Sequence, residues 1–234
     1  AALAGRDARD PSSTRAPPGL ARLDAQTVKG LRVAVLPFPD EYAIHPALPV
    51  FYEQALGALR AAGLGLERAT LPDLPWRVVS DVILEAEAAV AFEELIRSGG
   101  VKDLSDPCHH AHGGRSYVVE SLSTDYVKAQ AVRAAMQREM ATFFRRYDLI
   151  VSPNSPILPP GVDDPLPAEG GTIVQYAGNV LGLPATALPM GFLEPGHLPA
   201  SLQLVGPARA DARVLAAAAA FQSQTRWHAA RPVI

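Results

Sequence analysis

Serines beside serine or glycine, and a cysteine among histidines, are the groupings in this chain with reactive side chains close together. A serine hydroxyl attacks only when a base takes its proton and nearby N–H groups stabilise the resulting oxyanion. Ser12-Ser13 follows Asp10-Pro11 in a polar stretch with no glycine beside it, and reads as a turn or helix cap. Gly113-Gly114-Arg115-Ser116 has the glycines of a nucleophile loop. It has one serine, no glycine after it, and an arginine where a compact turn is wanted. A lysine serves as a base only where apolar surroundings keep it neutral. Lys29 precedes a strand and Lys128 sits on a helix, and neither stands in an apolar run, so both read as solvated charges. Cys108-His109-His110-Ala111-His112 has side chains that suit zinc or copper. Its spacing fits no structural zinc pattern and no distant ligand pair exists, so it reads as an exposed loop. No catalytic residue, metal or cofactor is expected from these groupings.

Amide and phenol side chains form a second cluster: Gln175, Tyr176 and Asn179 precede an apolar run, and Asn154 follows one. Asn154 stands beyond the end of a strand, where α/β folds place ligand loops. A turn residue between Pro153 and Pro156 is the equal alternative. For Asn179, hydrogen bonding to backbone carbonyls that hold a turn is the favoured role.

These residues hang on a simple pattern of elements. Residues 31–36 read as a strand stopped by prolines, residues 48–62 as a helix closed by Gly63, and residues 64–71 as a strand weakened by Gly65. Residues 78–97 carry Val79, Ile83, Ala86 and Val90 on one helical stripe. Residues 101–122 have no period and read as a loop. Residues 124–146 form a helix with Val132, Met136, Met140 and Phe143 as its buried seam. Residues 148–151 make a buried strand, and residues 154–171 a Pro/Gly loop. Thr172 and Gln175 fit a capping box that opens a helix closed by Gly182. Residues 185–188 then read as a short, fully apolar strand ended by Pro189, and residues 200–205 as a strand. Asp211 is expected to cap a last helix reaching about Trp227. The alternation gives an α/β class with a largely buried sheet. One domain spans residues 1–234, with 1–27 a surface connection and 28–234 the sheet and helices.

Apolar residues make up 48% and charged residues 19%, and the net charge is -3. That describes a globular chain with no electrostatic footprint for nucleic acid or anionic lipid. The longest uncharged apolar run, residues 214–221, is too short to span a bilayer. A lone Cys108 excludes an internal disulfide and fits a reducing cytoplasm. The opening AALAG reads as the last turn of a helix closed by Gly5. A processed, cut or incomplete polypeptide is therefore expected, with removal of a start methionine as the alternative.

Several segments, in order, resemble the amidase-signature hydrolases: Ala4-Gly-Arg-Asp-Ala-Arg-Asp-Pro11, Tyr147-Asp-Leu-Ile-Val-Ser-Pro153, Asn179-Val-Leu-Gly-Leu-Pro-Ala185 and Leu198-Pro-Ala-Ser-Leu-Gln-Leu-Val-Gly206. Asp211-Ala-Arg-Val-Leu215 and Thr225-Arg-Trp-His-Ala-Ala-Arg-Pro232 continue the match. The resemblance implies an α/β/α fold around a large mixed sheet. It also implies hydrolysis or transfer of amide C–N bonds by a relay of lysine, cis-peptide serine and nucleophilic serine. That relay lies in a Gly/Ser-rich first half, and no such run occurs here. The resemblance therefore implies the C-terminal half of such an enzyme, inactive alone, partnered by the missing N-terminal half on the same chain or as a separate subunit. It also places residues 175, 176 and 179 near the pocket of a small-molecule amide. Without its partner the piece is expected to aggregate or form a homodimer through a bared face. A stand-alone, non-catalytic α/β binding or scaffolding domain is the alternative, and a metal-binding loop carrier a minor third.

Overall fold

The computed structural model describes residues 5–11, 13, 25–39, 44–103, 123–157, 163, 172–194 and 198–231. Five strands, β1 (Arg32–Val35), β2 (Gly65–Arg68), β3 (Leu149–Pro153), β4 (Ala185–Leu193) and β5 (Leu198–Val205), form one sheet in the order β2-β1-β3-β5-β4. β1 pairs in parallel with β2 and β3, and β5 pairs antiparallel with β3 and β4, so the sheet is mixed. Five helices among the described residues pack on it, α1 (Ala47–Ala61), α2 (Trp76–Ala91), α4 (Ser123–Arg146), α5 (Ile173–Leu181) and α6 (Asp211–Ser223), while the short α3 (Glu93–Arg97) follows α2 and buries no residue.

Strand alternation sorts the core into two layers. Val33, Val35, Leu149, Val151, Leu202 and Leu204 face one way and pack with Leu56, Leu59 and Phe221 of α1 and α6. Ala34, Ile150 and Val205 face the other way and pack with Trp76, Met136, Met140 and Val180 of α2, α4 and α5. Val28, in a 3₁₀ turn over Ala25–Val28, is fully buried in the first layer.

The parallel β1–β3 pair is pinned at both ends. At its start, Arg32 donates its backbone N–H (3.0 Å) and its Nε (3.1 Å) to Asp148 Oδ2, and the Asp148 N–H returns a bond to the Arg32 carbonyl at 2.7 Å. At its finish, the buried Tyr52 hydroxyl shares its proton between the carbonyls of Leu36 (2.9 Å) and Val151 (3.1 Å). Burial, with the Glu53 charge adding, pushes the Tyr52 phenol up, so it stays a donor.

Several elements depart from the sequence reading. The helix expected over 78–97 breaks at Phe92 into α2 and α3. Its apolar stripe outruns the surface it packs on: Val79 is buried, but Val90 is 75% exposed and Phe92 49%. In α4, Met136 and Met140 are buried as expected, whereas Val132 is exposed. The strand expected over 185–188 runs through to Leu193, past Pro189. Pro189 is tolerated because β4 is the outermost strand among the described residues, where a missing donor need not cost a ladder bond. Nor is the strand's start buried. Ala185 and Ala187 are exposed, because the face of β4 opposite α1 and α6 is uncovered among the described residues. The register shifts between Pro189 and Gly191, which accommodates the extra residue Met190. Asp211 is the first residue of α6, with Ala210 as its cap, and the helix stops at Ser223 before a separate 3₁₀ turn at Trp227–Ala229. The capping box and the left-handed Gly182 (φ 64°) stand as expected.

Two stability predictions follow from this packing. A Cβ on Gly191 would lie 2.6 Å from Phe51 Cγ, near the root of the ring, so Gly191→Ala should destabilise by about 1–3 kcal/mol. Adding Phe51→Ala should recover part of that loss in a thermal melt; equal melts for wild type and Gly191→Ala would refute the contact. For Asp148, burial alone would raise the pKa, but the Arg32 hydrogen bonds and the charges of Arg32 and Arg213 outweigh it and hold the carboxyl below its usual range. Such a group stabilises the fold above its unfolded pKa, about 4, and this contribution is lost as pH falls through the depressed folded value. Asp148→Asn should lower stability at neutral pH by about 1 kcal/mol, discounted for the half-exposed Arg32, and flatten the acid limb of the stability–pH curve below about pH 4. An acid limb unchanged by the substitution would show that Asp148 contributes nothing there.

Candidate functional site

The carboxyl ends of β1, β2 and β3 open onto a cleft of about 340 Å³. Its walls are the segments that follow β1 (residues 36–39) and β2 (residues 70–74), with Trp76 at the head of α2. Ser152 and Pro153 at the end of β3, and Thr172, Ile173 and Val174 at the start of α5, complete it. A parallel sheet directs its strand ends, and the loops that leave them, to this side. The Tyr52 clamp fixes the floor, because it holds Leu36 beside Val151, one residue before Ser152.

Three polar residues are buried among the described ones: Ser152, Thr172 and Gln203. All three belong to this end of the fold. Ser152 and Gln203 are cross-strand partners on β3 and β5. Gln203 Nε2 donates to Thr172 Oγ1 at 3.2 Å, tying the cap of α5 to the sheet. Thr172 Oγ1 also accepts the Gln175 N–H at 3.4 Å, while Gln175 Oε1 accepts the Thr172 N–H at 2.7 Å. Gln175 Nε2 reaches on to the Asn154 carbonyl at 2.9 Å, and the Asn154 N–H donates to the Ser201 carbonyl at 2.9 Å. The start of α5 is thereby bonded to β5 and to the segment after β3.

The expected site residues divide accordingly. Gln175 and Asn154 are brought together, and each binds the other's element through the bonds just described. Neither Gln175 nor Asn154 is among the described lining residues of the cleft. Tyr176 is half-buried and packs on the second core layer. Asn179 is exposed near the end of α5, and its backbone carbonyl rather than its side chain holds the turn, accepting the Gly182 N–H at 3.3 Å. Sequence reasoning missed Ser152, Trp76 and Gln203 as site residues, and read Thr172 only as a cap. The available signal was Gln203, a polar side chain among the inward-facing residues of an apolar strand.

Chemically the cleft offers two hydroxyls among apolar walls. The Ser152 and Thr172 hydroxyls are neutral, and no lysine or histidine is among the described lining residues. Ser13, Lys29 and Lys128 lie away from it; Lys128 pairs with Asp125 on α4 at 3.6 Å. The described residues hold no cluster of three or more potential metal ligands. The 108–112 cluster, Ser12, Gly113–Ser116 and the 1–4 segment fall outside the described residues. No helix among the described residues is long and apolar enough to cross a membrane.

Comparison with known proteins places this arrangement. A family model described as Amidase matches residues 1–215. A glutamyl-tRNA(Gln) amidotransferase subunit of Symbiobacterium thermophilum is 29% identical over 261 residues, a match that covers 99% of this chain and 52% of the relative. A bacterial aryl acylamidase of the amidase-signature family superposes with a TM-score of 0.73 at 22% identity, over 98% of this chain and 52% of that one. The native peptide amidase of Stenotrophomonas maltophilia gives a TM-score of 0.68 at 23% identity, over 97% and 50%. At such identities the two structures show the fold. The chain spans about half the length of the curated relatives it matches. With a family match across most of its residues, two helical layers on a mixed sheet and the same fold in both enzymes, the chain belongs to the amidase-signature family.

Proposed function

We propose that this chain is the C-terminal half of an amidase-signature hydrolase and supplies the binding wall for a small-molecule amide. Hydrolysis of the amide C–N bond is then carried out by a Ser-cisSer-Lys relay in an N-terminal half, on the same polypeptide or as a separate subunit. Residues 1–234 form one incomplete domain that works in the cytoplasm. The observation that carries this reading is the cleft at the carboxyl ends of β1, β2 and β3, whose walls are apolar and whose lining includes the Ser152 and Thr172 hydroxyls. The half-length match to relatives agrees with it. So do the uncovered face at the start of β4 and the exposed Val78, Val90, Phe92 and Val127 on α2, α4 and the residue after α2. Exposed apolar groups of this size favour a covering partner, whether the other half or a second copy.

The test is an amide hydrolysis assay with acetanilide, benzamide and glutamine. The chain alone should show no turnover above background, and co-expression with the polypeptide encoded upstream should restore activity and give one monodisperse complex. Turnover by the chain alone that disappears in Ser116→Ala or in the Ser12→Ala/Ser13→Ala double variant would overturn the proposal.

A further inference from the structure

The geometry points to a cleft that selects an uncharged amide carrying an aryl or short alkyl group over a zwitterionic amide such as glutamine. This rests on the reading of the cleft as an amide-binding wall, and it adds the class of amide. Thr172 is 3% exposed, and its oxygen accepts from the Gln175 N–H and the Gln203 amide. A hydroxyl has two lone pairs and one proton. The Gln203 amide takes one lone pair of Thr172, the Gln175 N–H is shared between Oγ1 and the Thr172 carbonyl (2.9 Å), and no described residue accepts the hydroxyl proton, so toward a ligand Thr172 offers a donor. Ser152, 1% exposed, is the converse. Its O–H goes to the Pro153 carbonyl at 3.1 Å, which leaves its lone pairs as acceptors. One donor and one acceptor are the complement of a carbonyl oxygen and an amide N–H.

The surroundings decide what else the amide carries. Phe38, Leu71, Leu74, Trp76 and Ile173 line the cleft, and among its described lining residues Asp73 alone ionises. Asp73 is exposed at the rim. An ammonium or carboxylate taken to the floor would lose water and meet no opposite charge there among the described lining residues. An aryl ring there gains roughly 25 cal/mol for each Å² of apolar surface buried. A volume of about 340 Å³ falls at the small end of ligand pockets and suits one ring with a short acyl group.

Trp76 and Trp227 are the two tryptophans, and only Trp76 lines the cleft. Fluorine NMR of the full chain labelled with 5-fluorotryptophan therefore reads occupancy directly, with Trp227 as internal control. Acetanilide should shift the Trp76 line saturably and leave the Trp227 line in place, while glutamine should bind about tenfold more weakly or worse. Glutamine binding as tightly as acetanilide would overturn the selectivity and leave the amide-wall reading standing. No movement of the Trp76 line with either compound would overturn both. A response to acetanilide in a chain that also turns over amides alone would uphold the selectivity and sink the proposed division of labour between halves.

Discussion

The hydrogen bond from Gln203 to Thr172 is the constraint on which the site depends. Both groups are buried, and a buried amide or hydroxyl without a partner costs about 1–3 kcal/mol. The only described partners are each other and the first turn of α5. Helix α5 must therefore begin where β5 presents Gln203, and Gln203 stands opposite Ser152 in the ladder. One polar pair thus locates the helix start, the end of β3 and the two hydroxyls of the cleft. Gln175 extends the same logic outward, since its amide is used at both ends.

The parallel strands add a second requirement. Parallel pairs have slanted bonds and no hairpin to set their register. Arg32 and Asp148 fix the entry of β1 and β3 through a charge-assisted, reciprocal contact between residues 116 positions apart. Tyr52 fixes the exit from α1, which belongs to neither strand. Slippage by one residue would turn Val33 and Val35 out of their layer and break both pins together.

How much of this was legible in the sequence depends on whether the cause was local. The capping box, Gly182 and the strand read at residues 148–151, which the structure places at Leu149–Pro153, follow from neighbouring residues, and ordered motifs carried the family. The split at Phe92, the exposure of Val90 and Val132 and the passage of β4 through Pro189 do not. Each turns on what covers a surface, and periodicity reports an apolar stripe without saying whether anything lies against it. Thr172 shows the same limit in the site. Its capping role is local, but its place in the cleft depends on Gln203, 31 residues later and on another element.

The outer margin of β4 bears on how such a sheet avoids self-templating. A straight, open margin recruits any extended segment, including a copy of itself, into stacked fibrils. Here Pro189 offers no N–H, and the extra residue at Met190 throws the far half of the strand out of phase with the near half. Only the short stretch before the proline is in step with a straight visitor, too little to hold it. Among the described residues, the open margin of β4 is therefore a poor template for a regular, unbroken strand.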